Sequence, residues 1–327
     1  VAGRENNNTE WRSISTRITN VTASSFDVRL QWALLTDPDT DVYTEDVYYT
    51  VVEEGEWEMT DGGTKIEAGL VDSSTVSGYL SSYTGDTVTF HADFADTPVV
   101  LHQVMSYNDS DWISSFVSDA GSHYSTPDED EMQISLLGAA VTATHAQETI
   151  GWIAIESGVI GEADGTSFES QLVAGVEGYT APETVTFASG TLDDPRAVVS
   201  QIEMDGGDGS WAVIDSIDSS GMVIFAEEDG DDDYEKYHLP ETMGYFATAG
   251  DAVIGLTDPN SGAPKMEVGS VTTESSADIT MEVASVTGVT DAWTRVTFDN
   301  TDFTDPVIVT SVTPANNTAP LSVRLQN

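Results

Sequence analysis

The chain of 327 residues contains no cysteine, so neither a disulfide nor a thiolate metal site holds it together. Only three residues are lysine, at Lys65, Lys236 and Lys265, and 10 Lys and Arg face 57 Asp and Glu. A formal net charge of −47 argues against nucleic acid and against anionic membranes as partners. No apolar run approaches the ~18 residues of a membrane-spanning helix, so membrane insertion is not expected. No Gly-x-Ser-x-Gly elbow, P-loop or dinucleotide fingerprint occurs, and the chain reads as a protein without catalytic activity. It also lacks an initiating Met and a signal peptide, which reads as a processed or partial chain.

So much negative charge opposes compaction in dilute buffer through self-repulsion. Molar salt screens it, because the Debye length falls to about 3 Å at 1 M. Hydrophobic residues make up 39% of the chain and fall in strand-like runs, which separates it from disordered acidic sequences. The expectation is a folded protein of a halophile. Asn-x-Ser/Thr sequons at Asn7, Asn20, Asn108 and Asn316 are candidate glycosylation sites and point to the cell exterior.

What the chain does have is a repeat. His145-Ala146-Gln147-Glu148-Thr149-Ile150-Gly151-Trp152 returns as His238-Leu239-Pro240-Glu241-Thr242-Met243-Gly244-Tyr245. A divergent copy, Glu45-Asp46-Val47-Tyr48-Tyr49, lies earlier, with Val42 where the others have His. Each copy alternates large and small residues, the period of a strand with one buried face. Ahead of each whole motif run a Val-Thr-Phe strand, a Pro-containing apolar strand and two further short strands, with turn residues between them and no helical period. This predicts an all-β fold of tandem antiparallel β-sandwiches.

The repeat is split at the ends. Residues 1–70 carry the second half of a unit, 71–178 and 179–270 are whole units, and 271–327 carry a first half. The two halves are complementary, and a half-sandwich exposes strand edges and an unpaired apolar face. The expectation is a head-to-tail homopolymer in which 271–327 complete residues 1–55 of a neighbouring subunit. Phe298, Pro306, Val307, Val309, Val323 and Leu325 would meet Ile14, Ile18, Phe26 and Val28 at the joint. A window cut from a longer covalent array is the alternative.

The Pro306-Val307-Ile308-Val309 strand, the Ser322-Val323-Arg324-Leu325-Gln326-Asn327 strand, Asn20-Val21-Thr22 leading to Phe26-Asp27-Val28, and the Gly151-Trp152-Ile153-Ala154 strand together resemble H-type lectin domains. They are closer still to the tandem H-type-lectin-like repeats of large secreted prokaryotic proteins. That resemblance implies a six- or seven-stranded antiparallel sandwich, often oligomeric, that binds carbohydrate in its lectin members.

Two polar features invite chemistry. His145 with Glu148, and His238 with Glu241, resemble an acid–base or metal pair, yet no third His or Cys recurs with them. On a strand, positions i and i+3 face opposite sides, so a structural role is expected. The acidic loops are rich in oxygen ligands but lack the EF-hand spacing; Asp229, Asp231 and Asp233 are the residues that would hold Ca²⁺ or another cation. The functional expectation is an extracellular structural protein of a halophile, forming filaments or a surface layer by strand complementation. The alternative is a lectin-like adhesin that recognises glycans.

Overall fold

The computed structural model describes residues 14–33, 44–60, 63–78, 82–139, 142–207, 209–228, 237–259, 279–299 and 303–313. Among them there is no helix, and the fold is all-β, as the alternation predicts. Strands β1 (Ile14–Thr22), β2 (Ser25–Trp32) and β3 (Glu45–Glu53) come first, followed by the hairpin of β4 (Gly55–Met59) and β5 (Lys65–Ser73). The next stretch holds β6 (Val76–Ser77), β7 (Asp86–Thr89), β8 (Val99–Val104), β9 (Ile113–Ser118), β10 (Glu131–Gly138) and β11 (Glu148–Ile155). Hairpin β12 (Val159–Ala163) and β13 (Thr166–Val176) leads to β14 (Glu183–Thr186), β15 (Arg196–Gln201), β16 (Ser210–Asp218), β17 (Gly221–Glu228) and β18 (Glu241–Thr248). Last come β19 (Ala252–Thr257), β20 (Ile279–Val289), β21 (Thr294–Thr297) and β22 (Pro306–Thr313).

The strands pair into three equivalent sandwiches. In the second, an inner sheet β5-β11-β8 packs on an outer sheet β7-β10-β9. In the third, β13-β18-β15 packs on β14-β17-β16. In the first, β20-β3-β22 packs on β21-β2-β1. The motif strand is central in every inner sheet, which explains its apolar run: both of its faces are covered. Its aromatic residue always meets the Phe of Val-Thr-Phe, with Trp152–Phe90 centroids at 5.8 Å, Tyr245–Phe187 at 6.5 Å and Tyr49–Phe298 at 6.4 Å. Trp152 needs extra room, and its cross-strand partner is Gly69, where an added Cβ would lie 2.7 Å from the indole.

The unit boundaries differ from those read along the chain. Strand β5, expected ahead of the first whole unit, and β13, expected at the end of it, each belong to the inner sheet of the motif strand that follows. Likewise β20 pairs with β3. Asp164 (φ 51°) and Gly165 (φ 82°) form the left-handed two-residue turn that Asp-Gly favours, and the hairpin it closes lies wholly in the sheet of β18 and β15. Each hairpin is thus a link between sandwiches. The three links meet, with the Asp164 carboxylate accepting from Thr60 Oγ1 at 2.9 Å and from the Gly255 amide at 2.7 Å.

The split halves also find each other differently from the expected joint between subunits. β2 pairs with β21 (Ser25↔Thr297 to Val28↔Thr294) and β3 with β22 (Asp46↔Thr313 to Glu53↔Pro306), all within one chain. Ile18, Phe26, Val28, Val307 and Val309 are fully buried, Phe298 nearly so, and Ile14 and Pro306 lie at this same joint. Val323 and Leu325 fall outside the described residues. The reason is the rotation between successive sandwiches. A head-to-tail contact forms a ring when its rotation closes, and three steps bring the last half against the first.

Candidate functional site

The ring's axis carries a cyclic set of contacts made by equivalent residues. Thr310 Oγ1 of the first sandwich donates to Gln103 Oε1 of the second at 3.1 Å. The His102 amide of the second donates to Ser200 Oγ of the third at 3.2 Å. The Val199 amide of the third donates to Ser311 Oγ of the first at 2.9 Å. Register on the motif strands makes Thr310, His102 and Val199 one position, and Ser311, Gln103 and Ser200 the next. A cavity of about 50 Å³ between these strands admits water rather than a sugar ring.

The motif glycines serve the same junctions. A Cβ on Gly151 would lie 2.1 Å from Met105 Sδ and 3.0 Å from Val307 of the first sandwich. One on Gly244 would lie 3.0 Å from Val99 of the second. At the third junction the corresponding residue is Tyr48, with the Arg196 guanidinium 5.5 Å from its ring centre. Burial raises the Tyr48 pKa, with Arg196 opposing. Met105 and Val307 therefore set the small-residue requirement at Gly151, and Val99 sets it at Gly244.

The motif His and Glu do come together, contrary to the expectation from strand alternation, because each His lies in the loop that enters the strand. His145 Nδ1 is 3.8 Å from Glu148, and His238 Nδ1 is 3.2 Å from Glu241. Both carboxylates are fully buried and accept amides from the loop after the Pro-containing strand. Glu148 takes Asn108 and Asp109 at 3.0 and 3.2 Å; Glu241 takes Asp205 and Gly206 at 2.9 and 3.0 Å. Glu148 also meets Ser106 Oγ and, from the first sandwich, Arg17 at 2.7 Å. Arg17 is itself enclosed and donates further to the carbonyls of Ser106 and Ile113, both at 3.1 Å. Burial lowers the Arg17 pKa while Glu148 raises it. Glu241 has no guanidinium beside it among the described residues. Burial pushes its pKa up to about 8 against the two amides.

A second recurring carboxylate escaped the sequence reading. Glu67, Glu169 and Glu282 lie directly across from Ala154, Ala247 and Val51 of the motif strands. Glu67 accepts the His91 and Ala92 amides, Glu169 those of Ala188 and Ser189, and Glu282 that of Asp299, each in the turn after Val-Thr-Phe. Where the motif aromatic is Tyr, its hydroxyl joins them: Tyr245 on Glu169 at 2.5 Å and Tyr49 on Glu282 at 2.7 Å. The signal was present as Ile66-Glu67, Phe168-Glu169 and Met281-Glu282, an acid after a large apolar residue on each long strand.

At the edge of the junction between the first two sandwiches, the Arg29 guanidinium lies 5.4 Å from the centre of Tyr107 and 5.2 Å from that of Trp293. The two rings meet edge-on at 5.2 Å, and Trp293 is 37% exposed. Arg29 Nε makes no hydrogen bond among the described residues.

Of the sequons, Asn20 and Asn108 are exposed. Asn20 (φ 52°) sits at a bulge and donates to Asp27 at 2.8 Å, and Asn108 donates to the Gln147 carbonyl at 2.8 Å. Asn7, Asn316 and the cation candidates Asp229, Asp231 and Asp233 fall outside the described residues. Among the described residues no group of three or more His, Asp or Glu is arranged to hold a metal ion. No protein-family model, curated protein or solved structure matches the chain.

Proposed function

We propose that the chain is an extracellular structural module of a halophile, an H-type-lectin-like block that builds a filament or surface layer from closed units. The observation that carries this reading is the ring itself. Both halves of the split sandwich are satisfied within one chain, which yields a rigid unit tied at three junctions. Such units would associate through their outer surfaces rather than by exchanging strands. The net charge of −47 suits a surface held in molar salt, where repulsion between blocks is screened. Electron microscopy and light scattering of the intact chain in molar NaCl test the proposal. Ordered polymers without added glycan are expected; single blocks at every salt and protein concentration would contradict it.

A lectin-like adhesin is the second reading, favoured by Arg29 between Tyr107 and Trp293. A guanidinium beside an exposed aromatic face supplies both hydrogen-bond donors and a stacking surface for a sugar. Binding on a glycan array that disappears in Arg29→Met and Trp293→Ala would support it. An array on which the parent protein binds nothing would exclude it.

A further inference from the structure

One arginine stands without a carboxylate in a chain of 57 Asp and Glu. Among the described residues, Arg17 pairs with Glu148, Arg196 with Asp194 and Asp251, and Arg295 with Asp27. Arg29 makes neither an ion pair nor a hydrogen bond among them; it touches only rings. It lies directly across from Arg17 on β1 and β2, and the two guanidiniums sit 5.3 Å (Arg17) and 5.4 Å (Arg29) from the centre of Tyr107. Two like charges thus share one ring, and the Glu148 carboxylate answers only the first. It is already filled by Arg17, the Asn108 and Asp109 amides and Ser106. A surplus positive charge remains at the edge of the junction, beside the partly exposed ring of Trp293. Arg29 Nε is enclosed without a partner, which leaves the terminal nitrogens as the groups a ligand can reach.

The repeat does not ask for this charge. Val88, Val185 and Val296 occupy the same place in Val-Thr-Phe, and their cross-strand partners put Ser135 and Phe225 where the first sandwich has Arg29. Both are buried, and neither is a cation. The register of the motif strands likewise puts Met204 where the second sandwich has Tyr107. A need of the fold would recur at the other positions, and this one does not.

We propose that Arg29, Tyr107 and Trp293 form a subsite for a carboxylated sugar, a uronic acid residue of an acidic glycan. This rests on the lectin-like reading above and names its ligand class. The terminal nitrogens of a guanidinium meet the two oxygens of a carboxylate as a fork, and hydrogen bonds between charged groups are the strong ones. The apolar face of a pyranose ring suits the exposed face of Trp293. Tyr107 stands edge-on to that ring, at 84°, and contact with both rings holds the guanidinium in place before a ligand arrives. Less side-chain freedom is then lost on binding. The net charge of −47 does not bar an acidic ligand. Repulsion from distant carboxylates is screened over about 3 Å at 1 M salt, whereas a carboxylate in the fork lies at hydrogen-bond distance, about 2.8 Å. An acidic side chain of another protein would use the fork but leave the Trp293 face uncovered.

Titration calorimetry of the intact chain in molar NaCl tests the subsite. The probes are oligomers of galacturonic, glucuronic and mannuronic acid, each as the free acid and as the methyl ester, which keeps the ring and linkage but removes the charge. At least one free acid should bind about tenfold tighter than its ester, the share of one charge-assisted contact. Arg29→Gln should bring that acid down to its ester, Arg29→Lys should keep part of the preference, and Trp293→Ala should weaken both forms. Equal binding of acid and ester would overturn the carboxylate assignment and leave the lectin-like reading standing. Failure of every acid to bind would overturn the inference; only an array empty of neutral glycans as well would overturn the reading beneath it. A preference for the free acid that survives Arg29→Gln would place the site elsewhere. A glutamate-rich peptide that binds as tightly as the acids, unaffected by Trp293→Ala, would assign the fork to a protein partner and exclude the sugar.

Discussion

Two junctions of one ring solve the same packing problem in opposite ways. Between the first and second sandwiches, Glu148 meets Arg17, and Arg29, Tyr107 and Trp293 cover the edge. Between the second and third, Glu241 stands where Glu148 does, and Phe116, Met204, Leu137 and Tyr83 fill the space with apolar atoms. The backbone job is common to both: each carboxylate collects the amides of the gripping loop. What differs is what stands beside it: the Arg17 guanidinium at one junction, and the His238 ring with apolar side chains around the loop at the other. A repeated fold thus constrains the acceptor while leaving its counter-charge free to vary.

The largest effect should come from breaking the ion pair. Arg17→Met strands a buried carboxylate, and removal of one partner from a buried pair costs about 3–5 kcal/mol. Denaturant melts in molar NaCl would measure it. Adding Glu148→Gln to Arg17→Met should recover part of the loss, while a single Arg17→Met protein as stable as its parent would erase the contrast between junctions.

Acid should weaken the second junction selectively. Burial lowers the His102 pKa to about 4 from 6.5. Its Nε2 donates to the Gln201 carbonyl at 2.7 Å and its Nδ1 lies 2.8 Å from Ser115 Oγ, so the neutral ring carries its proton on Nε2. The unfolded chain takes up a proton first. His102 therefore contributes fully above pH 6.5, and its contribution is lost as pH falls towards 4, by about 3 kcal/mol. The equivalent residue at the first junction is Thr310, which does not titrate. Stability measured from pH 7 to 4 should fall less steeply in His102→Thr; an unchanged slope would refute the assignment.

The smallest effect concerns Arg29. Partly exposed cation–π contacts contribute about 0.5–1 kcal/mol, so Arg29→Met should lower stability by that amount and leave the Glu148 pair intact. A loss as large as that of Arg17→Met would show that the two arginines act as one unit.

Much of this architecture is legible in the sequence. Alternation in Phe26, Val28 and Leu30 marks a strand with one buried face, and the returning Glu148 and Glu241 motifs mark equivalent core strands. The complementarity of the two end halves was legible too. Which chain supplies the missing half was not. That depends on the rotation at each junction, set by close packing at Gly151 and Gly244 against Val307 and Val99, and in the sequence those residues read only as another alternating run. Linker strands β5 and β13 read as part of the preceding unit because neighbours along the chain usually pair in space. The Asp164-Gly165 turn closes the β12–β13 hairpin and is the same whichever sheet that hairpin joins. Arg17 gave no sign of its role, since its partner Glu148 lies 131 positions away.

Closure of the ring within one chain can be tested directly because the protein has no cysteine of its own. Ser25 and Thr297 face each other across β2 and β21. A Ser25→Cys/Thr297→Cys protein, oxidised at low and high protein concentration in molar NaCl, should yield a cross-linked species of single-chain mass in both cases. A ladder of covalent multiples growing with concentration would contradict closure and place the two halves of the sandwich in different molecules.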